Sequence, residues 1–561
     1  MKRLCFALAS AAALLAGGPT LRADDAKPTL LLRVESIDGL LKNAEYIAEL
    51  AGQKENADQF LGIVKSMTDP VKGLEGIDTG RPIGLFARMK GMPGEQPPAA
   101  FAAQQQVVAL VPVADQEALL NFFGRFGIEP QKGDDGVYTV NLPGAPVAVY
   151  FRFAQKYACV TAMQKENISE KNLPDLAKAL ELPGHGLVDL VVNFDTIPPE
   201  LRKMALGQLE MKLAEAKQER DPGDTDAEHA LKGELLDSLV GGAKMLLEGA
   251  GTLHLSLGVD QRAEELRAGA SLTGMEGTEL ARRFAALGKR TSATLAGLRE
   301  KGNVFLFNGT YTLPDSLRDA LGRAYDTFIK EASRELARKG PEKSKVSPEA
   351  VEALLASLKP TIAAGESDGG YAMYGPNADG KYTVVLGAKV RQGRGIEEAV
   401  RKVVRDLPPE VQKLVRFDAG KAGGANLHQV QLPPKAFEDE NVRQLFGENA
   451  SVWLAVSDDR IWGAFGTDAE QAVKDLLGTK PAPAPVAVYE VRLKGLVPLI
   501  AREHPGATAA AKEAFGEGAR DADLVRLLIE GGDKLSVRLT VGARIIAFGA
   551  KMAQAERGSE Q

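Results

Sequence analysis

Cysteine is nearly absent from this chain of 561 residues: there are two, Cys5 and Cys159. Cys5 sits near the start of a stretch that reads as a cleaved export signal. Met1-Lys2-Arg3 is basic, Leu4 to Gly18 is apolar and uncharged, and Leu21-Arg22-Ala23 puts a small residue before Asp24-Asp25. Loss of residues 1–23 leaves Cys159 alone, so the mature chain is expected to form no internal disulfide in an oxidising compartment. The fold must hold by its apolar core, and 44 % hydrophobic residues supply the material. A lipid anchor needs a cysteine at the cleavage point, and none stands there.

Long hydrophobic runs are also missing. The N-terminal run is about 15 residues, short of the roughly 20 that cross a bilayer as a helix. No later stretch is longer. The expectation is an exported protein, periplasmic or extracellular, with no transmembrane anchor. Basic charge is not in excess either. Lys and Arg number 69 against 75 Asp and Glu, a net charge of −6. Removing Lys2, Arg3 and Arg22 takes the basic count to 66 and the balance to −9. Such a surface argues against nucleic acid as the partner.

The motifs of common chemistries are lacking. Five histidines (His185, His229, His254, His428, His504) offer no i, i+4 pair for a metal. Ser256 in His254-Leu255-Ser256-Leu257-Gly258 lacks the first glycine of a nucleophile elbow. No phosphate-cradling loop is present, and Gly393-Arg394-Gly395 stops short of a dinucleotide fingerprint. Cys159 falls in an apolar strand and reads as a small core residue. Asp221, Asp224, Asp226 and Glu228 lack the glycine and terminal glutamate of a calcium loop. Asp134-Asp135-Gly136 and Asp458-Asp459 read as turns. No cofactor, metal or catalytic residue is therefore expected.

What is present is a repeated order of elements. Strands at Leu30–Val34, Asp189–Phe194, Asn303–Tyr311 and Val486–Leu493 each lead into helical stretches, then a strand pair, then usually a helix. Thr196 and Thr312 head two of those helix starts in a Thr-apolar-Pro pattern suited to capping. A smaller unit, a strand followed by a hairpin and a helix, occurs around Tyr138–Met163 and again around Leu427–Gly466. The large-small-large order occurs twice, which predicts internal duplication. Tight turns such as Asp379-Gly380 and Gly531-Gly532-Asp533 favour antiparallel pairing. The expected fold is α+β: two similar lobes of mainly antiparallel sheet, 24–294 and 303–553, with helical hairpins on one face and a flexible tail at 554–561. Gly91–Gln106 reads as a flexible, polar, proline-bearing insertion between two strands, and Thr479–Pro485 as a short, extended and semi-rigid strut.

The two tryptophans, Trp453 and Trp462, fall in one hairpin around Asp458-Asp459. Pairing Val456 with Ile461 puts both rings on one face, with Val452, Leu454, Val456, Ile461 and Phe465 on the other. That second stripe reads as core. The tryptophans would then lie under a second layer or form an aromatic platform for a ligand. In pattern over most of its mature length, the chain resembles a group of secreted bacterial proteins of unknown function with repeated β-rich modules. That resemblance carries no signature motif and implies no activity or site. The functional expectation is a non-catalytic binding or scaffold protein of the cell envelope, whose partner is a protein, a peptide or an envelope component. Two alternatives stand beside it. One is a periplasmic small-ligand or lipid-binding protein using a cleft between a sheet and helical hairpins. The other is a hydrolase whose acid pair is assembled in space.

Overall fold

The computed structural model describes residues 27–55, 62, 75–89, 105–125, 127–141, 148–162, 164–181, 186–218, 226–299, 302–339, 347–516 and 521–559. Residues 1–23 (read as an export signal), His185, Asp221, Asp224 and most of the connection 91–106 lie outside them.

The described first half runs β1 (Leu30–Ser36), α1 (Ile37–Leu50), β2 (Pro82–Arg88), β3 (Gln106–Pro112), α2 (Gln116–Arg125), β4 (Gln131–Lys132), β5 (Tyr138–Val140), β6 (Val149–Ala154) and β7 (Tyr157–Thr161). It continues β8 (Val188–Asn193), α3 (Pro199–Gln218), α4 (Asp226–Gly249), β9 (Ala250–Asp260), β10 (Glu265–Gly274), α5 (Glu279–Leu287), β11 (Thr291–Ser292) and α6 (Ala293–Arg299). The second half runs β12 (Asn303–Thr312), α7 (Asp315–Lys339), α8 (Pro348–Ala364), β13 (Glu366–Tyr374), β14 (Thr383–Lys389), α9 (Gly393–Asp406), β15 (Val415–Ala422), β16 (Ala425–Gln431), β17 (Ser451–Val456) and β18 (Arg460–Gly466). It ends α10 (Ala469–Leu477), β19 (Ala482–Pro483), β20 (Ala487–Arg492), α11 (Leu493–Glu503), α12 (Ala507–Phe515), β21 (Leu524–Glu530), β22 (Lys534–Gly542) and α13 (Arg544–Ser559).

Twenty of these strands form one antiparallel sheet. The pairings give the order β4-β5-β6-β7-β3-β2-β1-β8-β9-β10 and then β22-β21-β20-β12-β13-β14-β18-β17-β16-β15. Within its own half, β15 is the fourth strand of this sheet, β14 the third and β12 the first. Counted inward from either edge, the order is therefore the same. The two series meet last strand to last strand, with β10 paired to β22 along Glu265–Thr273. The sheet thus runs continuously through both halves, where two similar lobes of mainly antiparallel sheet were expected. The free edges are β4, two residues long, and β15, whose pairing slips between Arg416 and Gly420. Strands β11 and β19 make a separate short pair, so part of the Thr479–Pro485 connection is β structure.

Local chemistry explains several boundaries. Ser36, Thr278 and Ser347 accept backbone N–H bonds at the starts of α1, α5 and α8. Thr196 does not cap: its hydroxyl donates back to the Asn193 carbonyl at 2.8 Å. Helix α13 runs through the expected tail to Ser559, held by an ion pair of His504 with Glu556 at 2.7 Å. Helix α6 packs on β12, β13 and β14, so the seam between the two expected lobes, 294–303, contributes to the second core.

Two apolar cores lie on the same face of the sheet. One gathers Leu31, Phe86, Val108, Leu110, Cys159, Ile168 and Leu176. The other gathers Leu298, Leu306, Ala372, Val385, Val473, Leu476 and Val488 beneath α6 and α10. On the opposite face, α2 packs over Val111 and Ala158 at one flank. At the other flank α9 reaches His428 through Glu397. Between these flanks α5 packs over Leu272 and Leu535 on this same face, while the apolar side chains farther along those strands stay exposed.

Candidate functional site: an open apolar sheet face

The register builds the site. Across β13, β12 and β20, Tyr371 faces Phe307 and Phe307 faces Tyr489. The row continues through Leu527, Leu539, Ala268 and Leu257. In the other direction Tyr371 faces Leu386 on β14. Side chains alternate along a strand, so residues joined by register share one face. This row spans eight adjacent strands, about 34 Å at the usual strand spacing.

Its members are apolar, yet they are not covered. Leu257 is 56 % exposed, Tyr371 45 % and Leu386 44 %, while Phe307, Tyr489 and Leu539 are also exposed. Beside them, the Phe305 ring stacks on Tyr371 at 5.2 Å and meets Tyr489 edge-on at 5.1 Å. Phe307 and Tyr371 lie 5.6 Å apart. The aromatic rings therefore hold one another while leaving a face outward. Single exposed apolar residues need no explanation, but a contiguous patch of this extent marks an interaction surface. Every strand under the row is paired on both sides, so its backbone hydrogen bonds are already used within the sheet.

The expected platform residues lie elsewhere. Trp453 and Trp462 do share a face, and Val456 pairs with Ile461 as read. That face is the covered one. Trp453 is 7 % exposed and Trp462 3 %, both in the core under α6 and α10. Trp462 lies across Gly387, where a Cβ would meet the ring at 2.2 Å. The rings have no face left for a ligand. The stripe read as core, with Val452, Leu454, Ile461 and Phe465, is the half-buried one.

Four buried charge clusters were candidates for chemistry. On β8, Asp189 accepts from Arg33 at 2.9 Å and pairs with His254 Nε2 at 2.9 Å. No hydroxyl or thiol meets the other His254 nitrogen among the described residues, so the dyad lacks a nucleophile. Glu490 is held by Arg299 at 2.7 Å and Arg526 at 2.9 Å. Asp368 is held by Arg460 at 3.1 Å and by the Ser292 hydroxyl at 2.5 Å. Glu366, two residues along, is held by Lys389 at 2.6 Å and Arg391 at 2.8 Å. The Lys389 hydrogen bond keeps the Glu366 carboxyl below its ordinary range. A general acid needs the opposite shift, so Glu366 is not set up to act as one.

Glu397, Asp418 and His428 converge closely enough to suggest a metal site. Their hydrogen bonds oppose it. His428 Nδ1 accepts the Asp418 backbone N–H at 3.1 Å, so the neutral ring carries its proton on Nε2, the nitrogen facing Glu397. Arg401 already occupies the space between the acids, at 2.5 Å from Glu397 and 2.8 Å from Asp418, with its guanidinium over the Phe417 ring. Burial pushes the His428 pKa below its ordinary value against the pull of Glu397. Cys159 is a buried free thiol, pushed up to about 12 by burial, and is inert by the same logic.

Sequence reasoning found neither the open row nor its extent. The signal was there in part, since NVFLFNGTYT on β12 alternates large apolar residues on one face with Asn308 and Thr310 on the other. No helix of the described residues is long and apolar enough to cross a membrane. No family model, curated protein or solved structure matches the chain.

Proposed function

We propose that the protein is an exported, non-catalytic binding protein of the cell envelope, and that its ligand is the hydrocarbon chain of a lipid laid on the open face of the sheet. The row Leu257–Leu539–Tyr489–Phe307–Tyr371–Leu386 carries this reading. A docked extended peptide would bring amides that need partners, and the fully paired strands beneath the row offer none. A hydrocarbon chain brings no such groups. We also infer that the chain arose by duplication of a ten-stranded half. The support is the identical strand order counted from both edges, with the seam at β10 and β22.

The test uses the mature chain and vesicles of zwitterionic phospholipid carrying a fluorescent lipid. Lipid transfer to the wild-type protein is expected. Phe307→Asp combined with Leu386→Asp is expected to weaken it at least tenfold, because two charges would then sit under the chain. Both positions are exposed, so the unfolding midpoint should move little. Equal transfer to wild type and double variant would refute the reading.

A further inference from the structure

The covered side of the sheet holds a second arrangement that the apolar row does not use. Arg290 lies in the turn between α5 and β11. It lines two neighbouring clefts. One, of about 630 Å³, is walled by Arg299, Asn303, Glu490 and Arg526. The other, of about 330 Å³, is walled by Thr310, Glu366, Asp368, Lys389 and Arg460. Volumes of this order suit small-molecule ligands.

The charges in these walls do not cancel one for one. Glu490, Glu366, Asp368 and Glu530, which also walls the larger cleft, each have a cation at ion-pair distance, and Glu490 and Glu366 each have two. Among the described residues Arg290 has none at that distance. Its one side-chain hydrogen bond among them is Nη2 to the Thr312 hydroxyl at 3.3 Å, and its Nε is shut away from solvent with no acceptor. The Asn303 amide in the larger cleft likewise lacks an acceptor for its Nδ2. The Arg290 main chain is pinned, since its carbonyl takes the Ala484 N–H at 3.1 Å. Glu366, the acid that attracts this half-buried guanidinium, already holds Lys389 and Arg391, so the charge is under-compensated and an anion relieves it. The planar fork fits two oxygens of one group.

We infer that Arg290 anchors an anion-binding site at the junction of the two clefts, which takes the carboxylate or phosphate group of a small molecule. Arg299, Arg460 and Lys389 add a positive surround but are engaged with acids. Arg290 is therefore the residue whose loss matters most.

The experiment titrates the mature protein with inorganic phosphate and, separately, with succinate, by calorimetry in low salt. One-to-one binding of at least one probe is expected, weakening as sodium chloride rises. Arg290→Met should reduce that binding more than tenfold, and Arg290→Lys should reduce it less, because it keeps the charge and loses the fork. Without anion, the Arg290→Met unfolding midpoint should equal or exceed that of wild type, since an under-compensated charge is gone. Added probe should raise the midpoint of wild type and not of Arg290→Met. Binding of phosphate alone or succinate alone supports the site and identifies the group. Binding of neither probe, or equal binding by wild type and Arg290→Met, overturns it. Neither of those results touches the lipid reading, whose surface lies across the sheet.

Discussion

The two faces of strand β12 reverse the usual assignment of polar and apolar side chains. The covered face buries Val304 and Leu306, but also Asn308 and Thr310, and across the register it buries Asp368 and Glu490. The uncovered face presents Phe305, Phe307 and Tyr311. Ordinary folding would hide the second set and wet the first. The buried polar groups are satisfied locally: Asn308 donates to the Gly369 carbonyl at 3.1 Å and accepts from Thr310 at 3.0 Å. The core tolerates them because they are paired. The exposed aromatics have no such structural account, which is why they carry the functional reading.

Substitutions on the two faces should separate these roles. The largest effect is expected from Asp368→Ala, which strands Arg460 in a mostly buried site. A loss of about 3–5 kcal/mol is expected for breaking such a pair, read from urea unfolding. A loss under about 1 kcal/mol would mean that the covered face is wetter than it looks. Next come two neighbours on one strand. Leu306→Ala should cost about 2–5 kcal/mol, as for other fully buried leucines. Phe307→Ala should cost about 1 kcal/mol or less. Equal losses would break the comparison, because Phe307 would then be core.

The smallest effect concerns pH, at the flank that α9 covers. The His428 pKa is lowered in the folded protein, so the unfolded chain binds more protons just below the ordinary histidine value of about 6.5. Stability should therefore fall as pH drops through that region. His428→Asn can still accept the Asp418 N–H and has no proton to gain, so its stability should change less between pH 7.5 and pH 5. An unchanged slope would show that His428 titrates freely.

Much of the strand pairing was legible in the sequence, because it is local. The turn at Asp458-Asp459 fixes Val456 against Ile461, and Gly531-Gly532-Asp533 fixes β21 against β22. The orientation of the faces was not legible. In the Trp453–Trp462 hairpin both faces are apolar, so alternation cannot say which is inside. In β12 the polar face is the buried one. The charge partners were hidden too, since Arg299 and Glu490 are 191 residues apart and Arg460 and Asp368 are 92. No spacing rule reaches that far. Arg290 became visible only when every neighbouring acid was found already engaged.

A sheet of twenty strands has only two edges, and each is built to stop growth. At one end, β4 offers two exposed residues, too few to template another chain. At the other, Asp418 adopts φ 52° and bends β15 where its pairing slips. Arg416 and Lys421 lie exposed along that same strand. A chain that exposes aromatic and aliphatic side chains in its middle thus withholds free main-chain rims from its neighbours. The expected consequence is resistance to edge-to-edge polymerisation, even beside an adhesive centre.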